Sequence, residues 1–235
     1  MNSNLTEFLN DEAKKDFFNV KTEEVCDILL EIIKDCASSE NAQKRAIKEL
    51  SIAALNRIKV IILLVRQKHS EDALILWRSL YEMACILAIL AKSDNTVADE
   101  YYRFKTTKDI GKEQKDLKME TRNGHRISKG SFQNYGWIHK VNGYTDKTSI
   151  AFSGVEQLAE LGQKKEYNIA SNFVHAIKYN YNNADDCFAN VILFLSKTIS
   201  NIISIAIANY NINNQMVNEH KLFVESLVSA EDVAE

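Results

Sequence analysis

The sequence predicts an all-α protein, a helical bundle with antiparallel helix hairpins. Its 235 residues include no proline and only seven glycines, the residue types that strand-rich folds use in tight turns. Apolar residues recur at intervals of three and four positions through long segments, as they do on the buried face of a helix. Strand and helix patterns do not alternate, as an α/β fold would require. Ordinary proportions of hydrophobic and charged residues, 46% and 26%, exclude a wholly disordered chain.

Apolar spacing and end signals together predict nine helices. They cover residues 5–17, 21–36, 40–68, 71–92, 95–117, 153–162, 164–180, 184–210 and, more weakly, 215–228. Val25 and Leu29 illustrate the helical interval in the second helix, and Ile47, Leu50 and Ala54 illustrate it in the third.

Residues that favour helix ends mark the fourth and fifth helices. Ser70 is a good N-cap, and Glu71 and Asp72 follow it in the first turn, where acids favour the positive end of a helix. Asp94 or Asn95 can cap the fifth helix in the same way. Only about three residues separate the third and fourth helices, so we expect these two to form an antiparallel hairpin.

The middle of the chain differs from both ends. All seven glycines lie between Gly111 and Gly162, and segment 101–147 holds eleven Lys or Arg against five Asp or Glu, although the whole chain carries a net charge of −3. We therefore predict one domain over 1–235, in which an irregular basic insertion near 118–152 separates a helical block at 1–117 from another at 153–228.

Several classes of protein are disfavoured by the remaining composition. A net charge near zero provides no global field for nucleic acid or a membrane. Four widely spaced cysteines without a CxxC pair argue against zinc and disulfide scaffolds. Apolar segments 73–91 and 189–208 are interrupted by polar residues and are interpreted as core helices, because charges at a bilayer centre cost several kcal/mol. We expect a cytoplasmic protein with no membrane contact, cofactor or metal.

Arg78 and Glu82 are the most distinctive pair in the sequence. They stand four positions apart, so they share a face of the fourth helix, and apolar neighbours on that face indicate burial. Arg before Glu is the less favourable order for helix stability. Two interpretations stay open: an internal salt bridge that ties two helices together, or a pocket in which Arg78 binds a phosphate or carboxylate and Glu82 orients it. Tyr81, between them, is a candidate ligand contact.

A second polar face runs along the helix predicted at 164–180. Tyr167, Ser171, His175 and Lys178 lie close together around this helix, and Asn172 extends the same arc. A hydroxyl, an imidazole and an ammonium group on one face can perform acid–base chemistry or hold an anion. The alternative is a face that simply meets water. Of the five histidines, His175 is the best placed for chemistry.

The basic middle segment interleaves cations with aromatic residues, for example Arg103 and Trp137. Single-stranded nucleic-acid binders combine these two residue types, because cations neutralise phosphates and aromatic rings stack on bases. Solvated helix faces with nearby acidic partners are the alternative. No GxxxxGK[ST], GxGxxG, HExxH or GxSxG motif occurs in the sequence.

Three segments resemble an uncharacterised family of bacterial all-helical proteins: ALILWRSLYEMACILAIL at 73–90, YGWI at 135–138 and YNIASNFVH at 167–175. The family pattern is an R-S-L-x-E helix, a tryptophan and a Y-x3-S-x3-H helix, matched here by Arg78, Ser79, Leu80, Glu82, Trp137, Tyr167, Ser171 and His175. A more distant resemblance is to the HEPN superfamily, whose ribonucleases use an R-x4-6-H motif in toxins and phage defence. In this chain, Arg78 and His175 would meet by the packing of two separate helices.

We therefore expect a protein that binds RNA or a nucleotide phosphate in stress or phage defence. The expected pocket contains Arg78, Glu82, Tyr167, Ser171 and His175. Whether the chain is an enzyme is left open; the catalytic version is a metal-independent ribonuclease in which His175 is the acid or base and Arg78 stabilises developing charge. The alternative function is a non-catalytic protein–protein interaction module. A homodimer formed by helix packing is also among the expected partners.

Overall fold

The computed structural model describes residues 3–36, 41–106, 129–145, 147–174 and 184–228. Within these ranges the regular structure is entirely helical, which confirms the predicted all-α fold. The helices are α1 (Ser3–Leu9), α2 (Glu12–Asp35), α3 (Ala42–Arg66), α4 (Ser70–Lys92), α5 (Asn95–Thr106), α6 (Lys129–Tyr135), a 3-10 helix (Gly136–Lys140), α7 (Phe152–Ala159), α8 (Lys164–Val174), α9 (Ala184–Tyr210) and α10 (Gln215–Val228).

The first two helices divide at a different place from the one predicted. The sequence predicted a break between residues 17 and 21, whereas α2 runs without interruption from Glu12 to Asp35. Asp11 caps it: its carboxylate accepts a hydrogen bond from the backbone N–H of Lys14 at 3.1 Å. Phe18 and Asn19 are buried within the helix. The predicted boundary was wrong because packing of this buried turn outweighs its mixed sequence pattern.

The turn between α3 and α4 closes the predicted hairpin. Lys68 adopts a left-handed conformation with φ of 63°, and the backbone N–H of His69 donates to the carbonyl of Leu64 at 2.9 Å. Arg57 of α3 then reaches Ser79 of α4, with 2.5 Å between Nη1 and Oγ. These contacts confirm the antiparallel arrangement of the two helices.

The chain divides into two compact units that are interleaved along the sequence. Unit 1 comprises Met1–Ala37, Leu50–Ala84 and Gln163–Glu235, and unit 2 comprises Ser38–Glu49 and Cys85–Gly162. Fully buried apolar side chains form the core of unit 1, among them Phe18, Leu29, Ile33, Leu55, Ile58, Trp77, Leu195 and Val224. Those of unit 2 include Leu87, Leu90, Phe104, Phe132, Trp137 and Val155. The expectation of a single domain over 1–235 stays a prediction.

The described part of the predicted irregular insertion, from residue 129 onward, is more helical than the sequence indicated. Helix α6 leads directly into the 3-10 helix, which packs against α5. A side-chain carbon at Gly136 would overlap the ring of Phe104, so glycine is needed there for close approach. Glycine therefore serves helix packing at this position, whereas the glycine content of the segment predicts irregular chain.

In the part of the chain that the structure describes, two helices are long and apolar enough to cross a membrane by length and composition alone, Ser70–Lys92 and Cys187–Tyr210. The polar residues that interrupt both segments predict core helices. In each, 61% of the apolar window is buried inside the protein.

Candidate functional site

Helices α4 and α8 bring three of the predicted site residues together, and we call Arg78, Glu82 and Tyr167 the Arg78 cluster. Arg78 Nη2 donates a hydrogen bond to the Tyr167 hydroxyl at 2.9 Å. The same hydroxyl donates to Glu82 Oε1 at 2.6 Å. The direct distance from Arg78 Nη2 to Glu82 Oε1 is 3.6 Å. The phenol of Tyr167 thus bridges the cation and the carboxylate that the sequence placed on one face of α4.

A buried polar network sets the start of α8 against α4 and α9. The backbone N–H of Gln163 donates to the Tyr81 hydroxyl at 3.1 Å, and its side-chain Nε2 donates to the carbonyl of Phe194 at 3.1 Å. The Thr198 hydroxyl donates to Gln163 Oε1 at 3.1 Å and accepts from the Trp77 indole at 3.0 Å. Tyr81 is fully buried, and its partner Gln163 lies one helical turn before Tyr167. The structure therefore gives Tyr81 a role in positioning α8.

The Arg78 cluster is partly open to solvent and its hydrogen bonding is incomplete. The side chains of Arg78 and Glu82 are 25% and 27% exposed. The guanidinium carbon lies 5.0 Å from the centre of the Tyr167 ring, a cation–π contact that fixes its orientation. Arg78 Nε is buried without a hydrogen-bond partner among the described residues. The cluster therefore holds an oriented cation with unused donors.

Tyr167 is a hydrogen-bond donor in this arrangement and not a base. Burial raises the pKa of its phenol well above the ordinary value, and the hydrogen bond to Glu82 raises it further, against the opposing effect of Arg78. The phenol therefore stays protonated at neutral pH and can donate its hydrogen to Glu82.

Arg57 also belongs to this region, although it is not among the residues predicted from the sequence. Its Nη1 donates to Ser79 Oγ at 2.5 Å and lies 3.0 Å from Met83 Sδ. Ser79 belongs to the R-S-L-x-E segment, so this segment is held from α3 as well as from α8. A single arginine in the middle of an amphipathic helix gave no signal of this contact.

The remaining residues of the α8 face are only partly described. The Ser171 hydroxyl donates to the carbonyl of Tyr167 at 2.8 Å, a bond within its own helix. Asn172 is half-buried. His175 and Lys178, predicted as a catalytic residue and a ligand contact, lie outside the described residues.

Arg103 and Trp137, also predicted as ligand contacts, belong to unit 2. Arg103 Nε donates to Glu100 Oε2 at 2.8 Å. Trp137 is 1% exposed, its indole N–H donates to the carbonyl of Asn134 at 3.1 Å, and its ring meets Tyr101 edge-on at 5.4 Å. We assign Trp137 to the core of unit 2 and leave both residues out of the proposed site.

The described ranges contain no group of three or more His, Cys, Asp or Glu side chains that could hold a metal ion. The chemistry that the Arg78 cluster offers on its own is recognition of hydrogen-bond acceptors. A guanidinium oriented by an aromatic ring and a phenol suits an anion with several oxygens.

A protein-family model, described as a family of unknown function and named DUF5677, matches residues 44–187, more than half of the chain. The chain belongs to the DUF5677 family. The matched segment contains the whole Arg78 cluster, and α10 lies outside it. This agrees with the predicted resemblance to an uncharacterised family, while the resemblance to the HEPN superfamily stays a prediction. Comparisons with curated proteins and with solved structures gave no match.

Proposed function

We propose that this DUF5677 protein binds a phosphate group of RNA or of a nucleotide at the Arg78 cluster. The observation that supports the proposal most directly is the state of the Arg78 guanidinium. Tyr167 holds it by a hydrogen bond and a ring contact, a quarter of the side chain is exposed, and Nε is buried without a partner among the described residues.

A purely structural tie would use the guanidinium more completely. A buried donor left without a partner costs about 1–3 kcal/mol, so native proteins seldom retain one without a reason. Within the described residues, the hydrogen bond to Tyr167 is the one that Arg78 makes. The Nη N–H groups that do not donate to Tyr167 are therefore available to a ligand on the exposed part of the side chain, and phosphate oxygens match the spacing of guanidinium donors.

Glu82 has an orienting role in this proposal. Its carboxylate lies 3.6 Å from Arg78 Nη2 and is held by the Tyr167 hydroxyl, so Tyr167 stands between the two charges. An incoming phosphate would contact the Arg78 guanidinium, and the Glu82 carboxylate would keep its hydrogen bond from Tyr167. Removal of Glu82 would break the hydrogen bond that it accepts from Tyr167 and so weaken the hold of Tyr167 on Arg78.

The test compares binding of a fluorescent mixed-sequence RNA and of ADP by the wild type, Arg78→Gln and Arg66→Gln. Arg66 is the matched control, since it lies in the same unit, on α3, and pairs with Glu23 at 2.7 Å near the surface. We expect Arg78→Gln to weaken binding about tenfold or more, the loss of one charged hydrogen-bonding group. Equal effects in the two variants, with circular dichroism showing both folded, would contradict the proposal.

The finer form of the proposal is RNA cleavage in stress or phage defence. A metal-independent ribonuclease would use His175 as the acid or base and Arg78 to stabilise developing charge. RNA degradation in the presence of EDTA, lost in His175→Ala while RNA binding persists, would support this form. Phage plating on cells that express the wild type or Arg78→Gln tests the defence role. Intact RNA after incubation with the wild type would leave binding alone.

Exposed apolar side chains favour a second candidate function, a protein–protein interaction module. Val60 and Leu63 on α3 are 48% and 52% exposed, three positions apart and so on one face. Such a face suits a second copy of the chain. Light scattering of the wild type and Leu63→Lys tests this candidate; a monomer in both cases excludes the homodimer.

A further inference from the structure

A cavity of about 340 Å³ opens between α2 and α10, within unit 1. Its wall is formed by Phe17 and Lys21 from α2 and by Met216, Glu219, His220 and Phe223 from α10, among others. The volume lies at the lower end of the range for small-molecule sites, roughly 300–1,000 Å³. The residues of this wall lie outside the segment matched by the family, 44–187, and none of them belongs to the Arg78 cluster.

His220 gives this cavity a specific polar feature. Its side chain is more than nine-tenths buried, and Nε2 lies 3.1 Å from the hydroxyl of Thr22. Nδ1 is buried and has no hydrogen-bond partner among the described residues. An unpaired ring nitrogen on a residue of the wall is a group that a ligand can satisfy. Lys21, Gln215 and Glu219 are the other polar residues of that wall.

The hydrogen bond to Thr22 indicates which nitrogen carries the proton. Thr22 is buried, and its hydroxyl finds no acceptor other than His220 Nε2 among the described residues. We therefore assign the hydroxyl hydrogen to the bond with Nε2, which makes Nε2 the unprotonated nitrogen of a neutral imidazole. Nδ1 then carries the hydrogen and is an N–H donor without an acceptor.

The rest of the wall selects an aromatic and uncharged molecule. The rings of Phe17 and Phe223 meet edge-on at 5.6 Å, and the imidazole of His220 lies 6.1 Å from Phe223. Such faces and edges suit a further ring. The charges of Lys21 and Glu219 have opposite signs, and Lys21 already pairs with Glu24 at 2.6 Å. The wall thus offers no net charge to attract an ion.

We propose that the cavity between α2 and α10 is a binding site for a small neutral aromatic molecule that carries one hydrogen-bond acceptor, with the acceptor on His220 Nδ1. An aryl ketone has this chemistry. The ring packs among Phe17, Met216 and Phe223, and the carbonyl oxygen accepts the Nδ1 hydrogen. The site is independent of phosphate binding, so either proposal can fail without the other.

The test measures binding of acetophenone, ethylbenzene and benzoate to the full chain by NMR titration. Acetophenone supplies the ring and the acceptor, ethylbenzene supplies the ring alone, and benzoate adds a negative charge. We expect acetophenone to bind with a Kd of roughly 1 mM, as a fragment of its size should. Ethylbenzene should bind about tenfold more weakly, because it leaves the N–H unpaired. Benzoate should also bind more weakly than acetophenone.

Three variants make the result specific. His220→Phe keeps the ring and removes the donor, so acetophenone and ethylbenzene should then bind equally. Met216→Trp should fill the cavity and abolish binding of both, and it keeps the test valid if His220→Phe does not fold. Leu222→Trp is the matched control, since Leu222 lies on the same helix, is 66% exposed and is not part of the wall.

Any of three results would overturn the proposal. The first is that acetophenone does not bind the wild type, or binds no better than ethylbenzene. The second is that Met216→Trp binds acetophenone as the wild type does. The third is that benzoate binds more tightly than acetophenone, which would show that the cavity selects an anion.

Discussion

Tyr167 is the residue that joins α8 to the charged pair on α4. Helical spacing predicts that Arg78 and Glu82 share a face of α4 and that Tyr167 lies on the polar face of α8. The structure brings the three side chains together. The sequence could not show that the phenol bridges the charges, because contacts between helices depend on their packing register. The same reason explains why the bond from Arg57 to Ser79 was missed.

Tyr167→Phe should isolate the bridge, because it removes the hydroxyl and keeps the ring beneath Arg78. We expect the free energy of unfolding to fall by about 1.5–3 kcal/mol, as for hydrogen bonds to charged groups. Ser171→Ala is the control on the same helix, since its hydroxyl bonds only the carbonyl of Tyr167 among the described residues. Urea unfolding measures both. Equal losses in the two variants would contradict the bridge.

His220 should make stability depend on pH. Burial lowers the pKa of its imidazole from 6.5 to about 4, with a smaller contribution from the Lys21 cation. Glu219 belongs to the same cavity wall. The folded state therefore keeps His220 neutral between pH 6.5 and 4, where the unfolded chain binds a proton. Stability is fully present above pH 6.5 and is lost as the pH falls through this window.

Urea unfolding at pH 7 and pH 4.5 measures this effect against His220→Phe, in which the titrating group is absent. We expect the wild type to lose about 2 kcal/mol more than the variant between the two pH values. The carboxylates are common to both proteins, so the difference reports His220. Parallel pH profiles would mean that His220 does not stay neutral in the folded protein.

At the scale of elements, long helices were predictable and short ones were not. Helices α3, α4 and α9 have extended apolar faces, and their spacing in the sequence is sufficient to identify them. Helix α6 and the 3-10 helix lie in a glycine-containing segment, where local preference argues against a helix. Contact with α5 stabilises them instead. Such a contact joins segments that are distant in the sequence, so the local spacing of apolar residues does not predict it.

Gly136→Ala should weaken the contact between the 3-10 helix and α5, because the added carbon would overlap the Phe104 ring. We expect a loss of about 1–3 kcal/mol, typical of overpacking in a core. Gln133→Ala is the control, since Gln133 is exposed on the adjoining helix α6. Thermal unfolding compares the two variants. A melting temperature of Gly136→Ala equal to that of Gln133→Ala would show that the ring moves aside.

At the scale of the whole molecule, the Arg78 cluster and the cavity beside His220 both belong to unit 1. The cluster lies inside the family-matched segment 44–187, whereas the helices that form the cavity come from either side of it. The sequence predicted the cluster in part because its charges interrupt an apolar helix. It gave no sign of the cavity, because one histidine among apolar neighbours is ordinary core composition.

The salt dependence of RNA binding tests the central claim most directly, since each phosphate contact contributes to the slope of log K against log salt concentration. We would titrate labelled RNA with the wild type, Arg78→Gln and Arg66→Gln at several salt concentrations. If Arg78 contacts a phosphate, Arg78→Gln should reduce the slope by about one, and Arg66→Gln should not change it. An unchanged slope in folded Arg78→Gln, or the absence of RNA binding by the wild type, would contradict phosphate recognition by this cluster.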